Sequence, residues 1–170
     1  SVIMKIKGKA LQLRVNNKTI ALSTSCSLNT TTQVTDSKTK DDANGPAGEF
    51  DFVDWSASSE NVVGANENVT SEMVYAELME LQLAGTVIDL SCELMANALG
   101  KIPQSGWTPD TAANKAFAAY GGKALIESVN LSAPADGNAT VSVNFKAVGP
   151  LGKVSEQTSQ TSQTSQTAEE

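Results

Sequence analysis

The chain has 170 residues, of which 40% are hydrophobic and only 5% aromatic, and its formal net charge at pH 7 is −7. A chain of this length buries about 70% of the surface that its unfolded form exposes, so one domain can form a core without disulfides or metals. The acidic balance disfavours a nucleic-acid binder, which needs a basic face to neutralise phosphates, and no apolar run approaches the roughly 18 residues of a membrane span.

The N-terminal segment predicts a hairpin. Residues 2–15 alternate apolar and polar side chains, as a half-buried strand does, and residues 19–22 begin the return strand. The connection 16–18 is Asn-Asn-Lys, which suits a tight turn because Asn tolerates the left-handed backbone conformation. The basic lead-in of the first strand consists of Lys5, Lys7 and Lys9.

Residues 23–35 are almost entirely Ser, Thr, Asn and Gln, with a few apolar residues between them. This pattern favours a strand whose polar face meets bulk water, and the alternative is a strand that faces an aqueous channel. Residues 36–48 then read as a long polar loop. Loops of more than about 12 residues in compact domains are functional or disordered.

The middle of the chain predicts a strand over 50–60 and then the only substantial helix, over 71–84. Thr70-Ser71-Glu72 supplies a capping hydroxyl and an acidic residue in the first turn, and Gly85 suits a helix end. A strand over 86–94 follows, with every second residue apolar.

The last third of the chain predicts an irregular excursion and a hairpin. Residues 96–120 contain several Gly and Pro residues and have room for one short helical turn. Two alternating strands then span residues 123–132 and 139–147, and the connection between them is rich in Pro, Asp, Gly and Asn. Residues 155–170 repeat Thr-Ser-Gln and predict a flexible tail, because they have almost nothing to bury.

The residue types that carry most enzyme chemistry are missing. The chain has no His and no nucleotide-binding, zinc-binding or serine-hydrolase motif, so we predict a protein that is not an enzyme and binds no cofactor or metal. The carboxylate pairs 41–42 and Asp51 with Asp54 match no calcium-loop spacing, which favours solvated side chains. Cys26 and Cys92 lie among apolar neighbours in strand-like segments and predict buried free thiols.

The charges are sorted along the chain. Residues 1–40 hold seven bases and one acid, whereas residues 41–100 hold twelve acids and no base. Either the two blocks neutralise each other within one subunit, or they lie at opposite ends and subunits stack head to tail. The candidate residues for such an assembly interface are Lys5, Lys7, Lys9, Lys38, Lys40, Asp41, Asp42, Glu49 and Asp51.

The C-terminal hairpin also carries a resemblance to a known family. A GKALI strand, the polar turn and a second strand ending in Ala147-Val148-Gly149-Pro150-Leu151 are similar to the C-terminal end of major tail tube proteins of long-tailed bacteriophages. The resemblance covers residues 1–154. It implies a mostly β (α+β) domain over these residues, a tail-tube-type β-sandwich with one flanking α-helix, with the tail 155–170 outside it.

The resemblance also implies a function. The chain would be a structural subunit of the virion tail, made in the bacterial host cytoplasm and assembled as hexameric rings that stack into a tube and contact other tail proteins. Genome DNA would pass through the lumen without specific binding, so few Lys or Arg are expected there, and no membrane partner is implied. The loop 36–48 and the N-terminal segment would reach between subunits or rings, and the helix would lie outside.

Two other functions fit the same pattern. A surface-exposed binding module, such as an adhesin or a capsid decoration domain, would account for the Ser/Thr-rich tail and for the five N-x-S/T sequons. A ring-forming tube protein of type VI secretion would share the architecture and conduct effectors in place of DNA. The oligomeric state separates the binding module from both tube proteins.

Overall fold

The computed structural model describes residues 3, 5–6, 8–37, 47–63, 72–95 and 108–154. In these ranges one sheet holds nine strands in the order β3-β4-β8-β7-β6-β1-β2-β5, and β9 pairs with β7. The β2–β5 pair is parallel and the other pairs are antiparallel. The strands are β1 Leu11–Val15, β2 Lys18–Ile20, β3 Ser23–Asp36, β4 Gly48–Val62, β5 Glu72–Met73, β6 Ile88–Leu94, β7 Tyr120–Ser132, β8 Thr140–Ala147 and β9 Gly152–Lys153. The helices are α1 Tyr75–Ala84 and α2 Thr111–Phe117.

The first hairpin forms, but its first strand is shorter than predicted. The strand begins at Leu11, and a 3-10 turn, Gly8–Ala10, precedes it. The prediction that the strand starts near residue 2 is wrong, because only from Leu11 onward do alternate side chains reach the core. Asn16 and Asn17 have φ angles of 49° and 65°, which confirms the left-handed turn.

The core joins both ends of the sheet. Buried side chains from β1, β2 and β6 belong to the same cluster as those from β4, β7 and β8, and Leu78 of α1 completes it. Cys26 Sγ on β3 also donates a hydrogen bond to Leu11 O on β1, at 3.6 Å. The sheet therefore folds over on itself so that its two halves face each other, and the predicted mostly β (α+β) class is confirmed.

The C-terminal hairpin confirms its prediction. β7 and β8 pair antiparallel with Val129 opposite Val143 and Leu131 opposite Val141. Val141, Val143 and Phe145 are at most 3% exposed. The alternation seen in the sequence is therefore the alternation between the core and the outer face.

Helix α1 begins four residues later than predicted. Its N-cap is Val74, which makes no side-chain cap, and residues 72–73 instead form the short strand β5. Met73 is 4% exposed, and its carbonyl accepts a hydrogen bond from Ala21 N at 2.9 Å. Burial of this side chain holds the segment in the sheet. The predicted helix end is confirmed, because Gly85 adopts a left-handed φ of 62°.

A second, shorter helix lies in the stretch predicted to be irregular. Asp110 caps α2 by accepting a hydrogen bond from Ala113 N at 3.1 Å. The Asn114 side chain then binds both backbone groups of Leu94, accepting from its N–H and donating to its carbonyl. This amide ties α2 to the end of β6. Residues 96–107, including Trp107, and the tail 155–170 lie outside the described ranges.

Trp55 fixes the chain segment that follows β8. The indole Nε1 donates to Gly149 O at 2.8 Å, and the ring lies against Gly122 of β7. A Cβ atom at position 122 would lie 2.6 Å from Pro150 O and 2.8 Å from the Trp55 ring. The absence of a side chain at Gly122 therefore allows this close approach.

We expect Gly122→Ala to destabilise the fold by about 1–3 kcal/mol, because the added methyl group overpacks against a carbonyl and a buried ring. Gly137→Ala is the matched control, since its Cβ would meet nothing nearer than Pro134 Cγ at 3.8 Å. Urea unfolding of the two variants measures the difference. Equal stability of both variants would contradict the tight packing at Gly122.

Candidate functional site

The four strands β3-β4-β8-β7 form a half-sheet with two unpaired edges. β3 is the outermost strand of the sheet order. β6 pairs with β7 only between Tyr120 and Ala124, so within the described ranges residues 125–132 of β7 have a strand on one side alone. Unpaired edges present N–H and C=O groups to any strand that docks there. The half-sheet can therefore accept a strand from another chain on each side.

The outer face of this half-sheet is polar along its length. Residues that pair across neighbouring strands lie on the same face of the sheet. Along each strand, residues that point into the core therefore alternate with a second set that points away from it. This second set, called the polar face below, consists mainly of small hydroxyl and amide side chains. Its members include Ser25, Ser27, Asn29, Thr31, Ser56, Ser58, Ser128, Asn130, Ser132, Thr140, Ser142 and Asn144.

Side chains of the polar face bond to one another across the strands. Ser27 Oγ lies 2.6 Å from Ser58 Oγ, and Asn144 Nδ2 donates to Ser128 Oγ at 2.8 Å. These bonds satisfy polar groups locally and leave a surface with few charges. The charged residues on or beside this face are Asp54, Glu60, Glu127, Lys146 and Lys123, and Lys123 forms a salt bridge with Asp89 of β6.

The hairpin of β3 and β4 extends beyond the rest of the sheet. β8 covers β4 only from Ser56 to Val62, whereas the pairing of β3 with β4 continues outward to Asp36 and Gly48. We call residues 30–36 and 48–55 the hairpin arm. The bond from Ser37 N to Ala47 O, 3.0 Å long, extends its ladder by one further step. The predicted loop 36–48 is therefore too long at both ends, because Asp36 and Gly48 are paired strand residues, and residues 38–46 lie outside the described ranges.

The arm exposes apolar side chains over a hollow of about 850 Å³. Phe50 is 70% exposed, and Val53 and Val148 are exposed beside it. The segment 147–151 forms the opposite wall. Contiguous exposed apolar surface of this kind marks a docking site.

The sequence contains a pattern that indicates this exposed apolar surface, although the strand prediction for residues 50–60 did not use it. Phe50, Phe52 and Val53 are apolar at positions that break a period of two. Since neighbouring strand residues point to opposite faces, these three side chains cannot all enter one core. A register shift near Gln33 and Val34 adds to this effect, because it pairs Phe50 with Val34, itself 61% exposed.

The structure places three of the predicted interface side chains, all at the surface. Glu49 and Asp51 are exposed on the arm, and Lys5 is exposed ahead of β1. Only the backbone of Lys9 is described. The other candidates lie outside the described ranges: Lys7, Lys38, Lys40, Asp41 and Asp42. Their role in an interface stays a prediction.

Part of the sorted charge is neutralised inside the subunit. Arg14 Nη1 lies 3.1 Å from Glu93 Oε2, and both side chains are mostly buried. Lys18 Nζ lies 3.6 Å from Glu77 Oε1, in a pair that is about one third exposed. Both pairs join the basic first block to the acidic second block. The exposed acids of the arm, Glu49 and Asp51, form no salt bridge within the described residues.

The described residues hold no candidate metal site. No group of three or more His, Cys, Asp or Glu residues that could hold an ion is found among the described residues. Asp54 Oδ1 instead accepts a hydrogen bond from Trp55 N at 2.9 Å. The helices found in the described ranges are also too short or too polar to cross a membrane.

Comparisons with known proteins match the fold alone. No protein-family model matches the chain, and no curated protein matches it in sequence. Among solved structures, the tail of an empty gene transfer agent (GTA) particle, refined with C6 symmetry, gives a TM-score of 0.62 at 16% identity. The alignment covers 88% of this chain and 98% of that chain.

Two further structures are similar. A chain from the virion of a native GTA particle gives a TM-score of 0.60 at 15% identity, over 88% of this chain and 98% of that one. The SPP1 tail tube gives a TM-score of 0.57 at 12% identity, over 88% and 80%. The tail-tube-type fold predicted from the resemblance is therefore confirmed.

We expect Phe50→Ser to weaken self-association while leaving monomer stability within about 0.5 kcal/mol, because the ring is already exposed. Loss of a ring buried only between chains raises the concentration needed for association about 10- to 100-fold. Leu83→Ser on α1 is the matched control, since Leu83 is 79% exposed but lies far from the arm in the sequence and outside the hollow. Sedimentation velocity measures the self-association of both variants. An equal effect of the two substitutions would exclude the hollow as a docking site.

Proposed function

We propose that this chain, which has the fold of tail tube proteins, is the repeating structural subunit of a virion tail tube. Its subunits form hexameric rings, and the rings stack into a channel through which genome DNA passes during ejection. The observation that carries the proposal is the half-sheet β3-β4-β8-β7, with an unpaired edge on each side and a polar, weakly charged outer face.

Ring closure follows from the two edges. The edge of β3 and the edge of β7 over residues 125–132 lie on opposite sides of the half-sheet, so pairing one with the other is a heterologous contact. Such contacts close into a ring when the rotation between copies allows it. A solved tail of similar fold was refined with C6 symmetry. Six copies of four strands give a 24-stranded barrel, which would pair both edges of every half-sheet in the ring.

The polar face becomes the wall of the lumen in this arrangement. Barrels of 16–18 strands already enclose an aqueous channel, and a larger barrel is wider. A wall rich in Lys and Arg would bind phosphates tightly and stall the duplex. Of the two bases on the face, Lys123 is paired with Asp89 and Lys146 shares the face with Asp54 and Glu60, so DNA would meet little net positive charge and many hydroxyl groups. This favours sliding without specific binding.

Contacts between rings are assigned to the hairpin arm and the N-terminal segment. The arm extends beyond the half-sheet and carries both the apolar hollow and the exposed acids Glu49 and Asp51. The basic candidates Lys5, Lys7 and Lys9 precede β1. An acidic arm that meets a basic N-terminal segment of the next ring would orient the stack head to tail.

The role is structural and requires no catalysis. Helix α1 lies against β7, with Gln82 Nε2 donating to Glu127 O at 3.3 Å, and is assigned to the outside of the tube with α2. The domain extends through residue 154, and the polar tail 155–170 is assigned to a flexible appendage. Synthesis takes place in the host cytoplasm, and the assembled protein contacts other tail proteins in the virion.

We expect electron microscopy of the purified chain to show six-fold rings and stacked tubes at low salt. High salt should separate rings from each other while the rings persist, because screening weakens charge contacts and leaves backbone pairing intact. Light scattering on the same samples gives the mass of each species. A monomer at every concentration and salt would contradict the proposal and favour the binding module.

A variant pair tests the stacking contact itself. Glu49→Lys combined with Asp51→Lys should shorten the tubes without loss of rings, because the arm then repels a basic partner. Glu80→Lys on α1, an exposed acid assigned to the outside, is the control. Tubes of unchanged length for the arm variant would exclude the arm as the acidic side of the stack.

The lumen assignment predicts an effect of added positive charge. Asn130→Lys on the polar face should leave tubes intact and lower genome transfer about tenfold or more, because each ring gains a circle of phosphate-binding groups. Asn130→Gln controls for any substitution at this position, and Ala76→Lys on α1 controls for a positive charge added outside the lumen. Transfer is measured in particles complemented with each variant. Full transfer through intact Asn130→Lys tubes would contradict a DNA-conducting polar face.

A further inference from the structure

The two cysteines meet across the core, although they are far apart in the sequence. Cys26 lies on β3 and Cys92 on β6, in opposite halves of the folded sheet. Both are free thiols, and both pack in the core, Cys92 within the buried cluster and Cys26 against it. Cys26 Sγ also reaches Leu11 O on β1, while Cys92 stands opposite Leu13 on the same strand.

The two thiols have unequal environments. Cys26 is partly exposed and Cys92 is 8% exposed. The hydrogen bond from Cys92 lowers the pKa of the Cys26 thiol to about 7, against the opposing effect of burial and with a smaller contribution from the Leu13 backbone. The same bond raises the pKa of Cys92, and burial and the nearby charges of Cys26 and Glu93 add to the rise. Cys26 is therefore the nucleophile and Cys92 the partner that resolves the reaction.

We infer that Cys26 and Cys92 are a dithiol that closes to an intramolecular disulfide when the folded protein meets a low-molecular-weight disulfide oxidant such as oxidised glutathione. The inference rests on the positions of the two side chains in the core, Cys26 Sγ 3.6 Å from Leu11 O and Cys92 opposite Leu13 on the same strand, and on the partial exposure of Cys26. It does not depend on the proposed tube function.

The reaction proceeds by two exchanges. The Cys26 thiolate attacks one sulfur of oxidised glutathione, which forms a mixed disulfide and releases one glutathione thiolate. Cys92 then loses its proton to water, and its sulfur attacks Cys26 Sγ and expels the second glutathione thiolate. The protein loses two protons and two electrons, and one glutathione disulfide becomes two thiols. Formation of the mixed disulfide removes the Cys26 charge that opposes deprotonation of Cys92.

The product would fasten the half-sheet to the rest of the fold. A bond from β3 to β6 passes over β1 and closes a loop that contains the hairpin arm and α1. Cross-links that close long loops stabilise chiefly by restricting the unfolded chain. We expect the melting temperature to rise by roughly 5–15 °C on oxidation.

The experiment uses the full chain, reduced and then equilibrated under native conditions in glutathione buffers of increasing oxidised fraction. Intact mass should show the loss of two hydrogen atoms, and a non-reducing tryptic digest should link the peptides 19–38 and 41–101. The melting temperature is recorded on the same samples. A rate of thiol loss that rises through about pH 7 would identify Cys26 as the attacking group.

Cys26→Ser and Cys92→Ala are the test variants, and each should abolish the loss of two hydrogen atoms and the oxidation-dependent rise in melting temperature, while Cys92→Ala should retain one glutathione on Cys26. If Cys92→Ala does not fold, Cys26→Ser alone decides, because Cys26 is only partly buried. A lasting glutathione adduct on Cys26 of the unsubstituted protein, without the Cys26–Cys92 disulfide, would overturn the inference. So would a disulfide between two chains, or two unreacted thiols in fully oxidised buffer.

Discussion

The unsatisfied backbone groups along two strand edges are the constraint on which the rest of this molecule depends. Burial of one apolar cluster folds a single sheet over on itself, and this leaves β3 and residues 125–132 of β7 without a second strand partner. A free edge costs little in water but invites pairing with another chain. Because the edges lie on opposite sides of one four-stranded piece, pairing between copies propagates in one direction and removes both edges at once.

The period of two in a strand gives the same four strands two different roles. Large apolar side chains such as Phe145 and Val143 fill the core, while their neighbours Ser142 and Asn144 face outward. Small hydroxyl and amide groups that bond to each other neither bury well nor bind ions strongly. A face of this kind resists collapse onto an apolar partner and suits continued contact with water.

Exposed apolar side chains are concentrated on the hairpin arm, where β8 no longer pairs with β4. The hairpin arm carries Phe50 and Val53 beyond the reach of β8, so these side chains stay exposed. At the other end of the hairpin, Cys26 packs beneath the polar face and meets Cys92. The long hairpin thus connects the exposed apolar surface of the arm with the contact between the two halves of the sheet.

The sequence by itself determined the class of the fold, the C-terminal hairpin, the left-handed turn at Asn16 and the helix end at Gly85, because these depend on local periodicity and on backbone conformation. Only the tertiary structure decided the start of α1, where burial of Met73 outweighs a capping hydroxyl. It also decided which strand edges stay unpaired, which apolar residues stay exposed and which two cysteines meet. These features depend on contacts between residues far apart in the chain, and apart from the break in the period of two at Phe50, Phe52 and Val53 no local pattern indicates them.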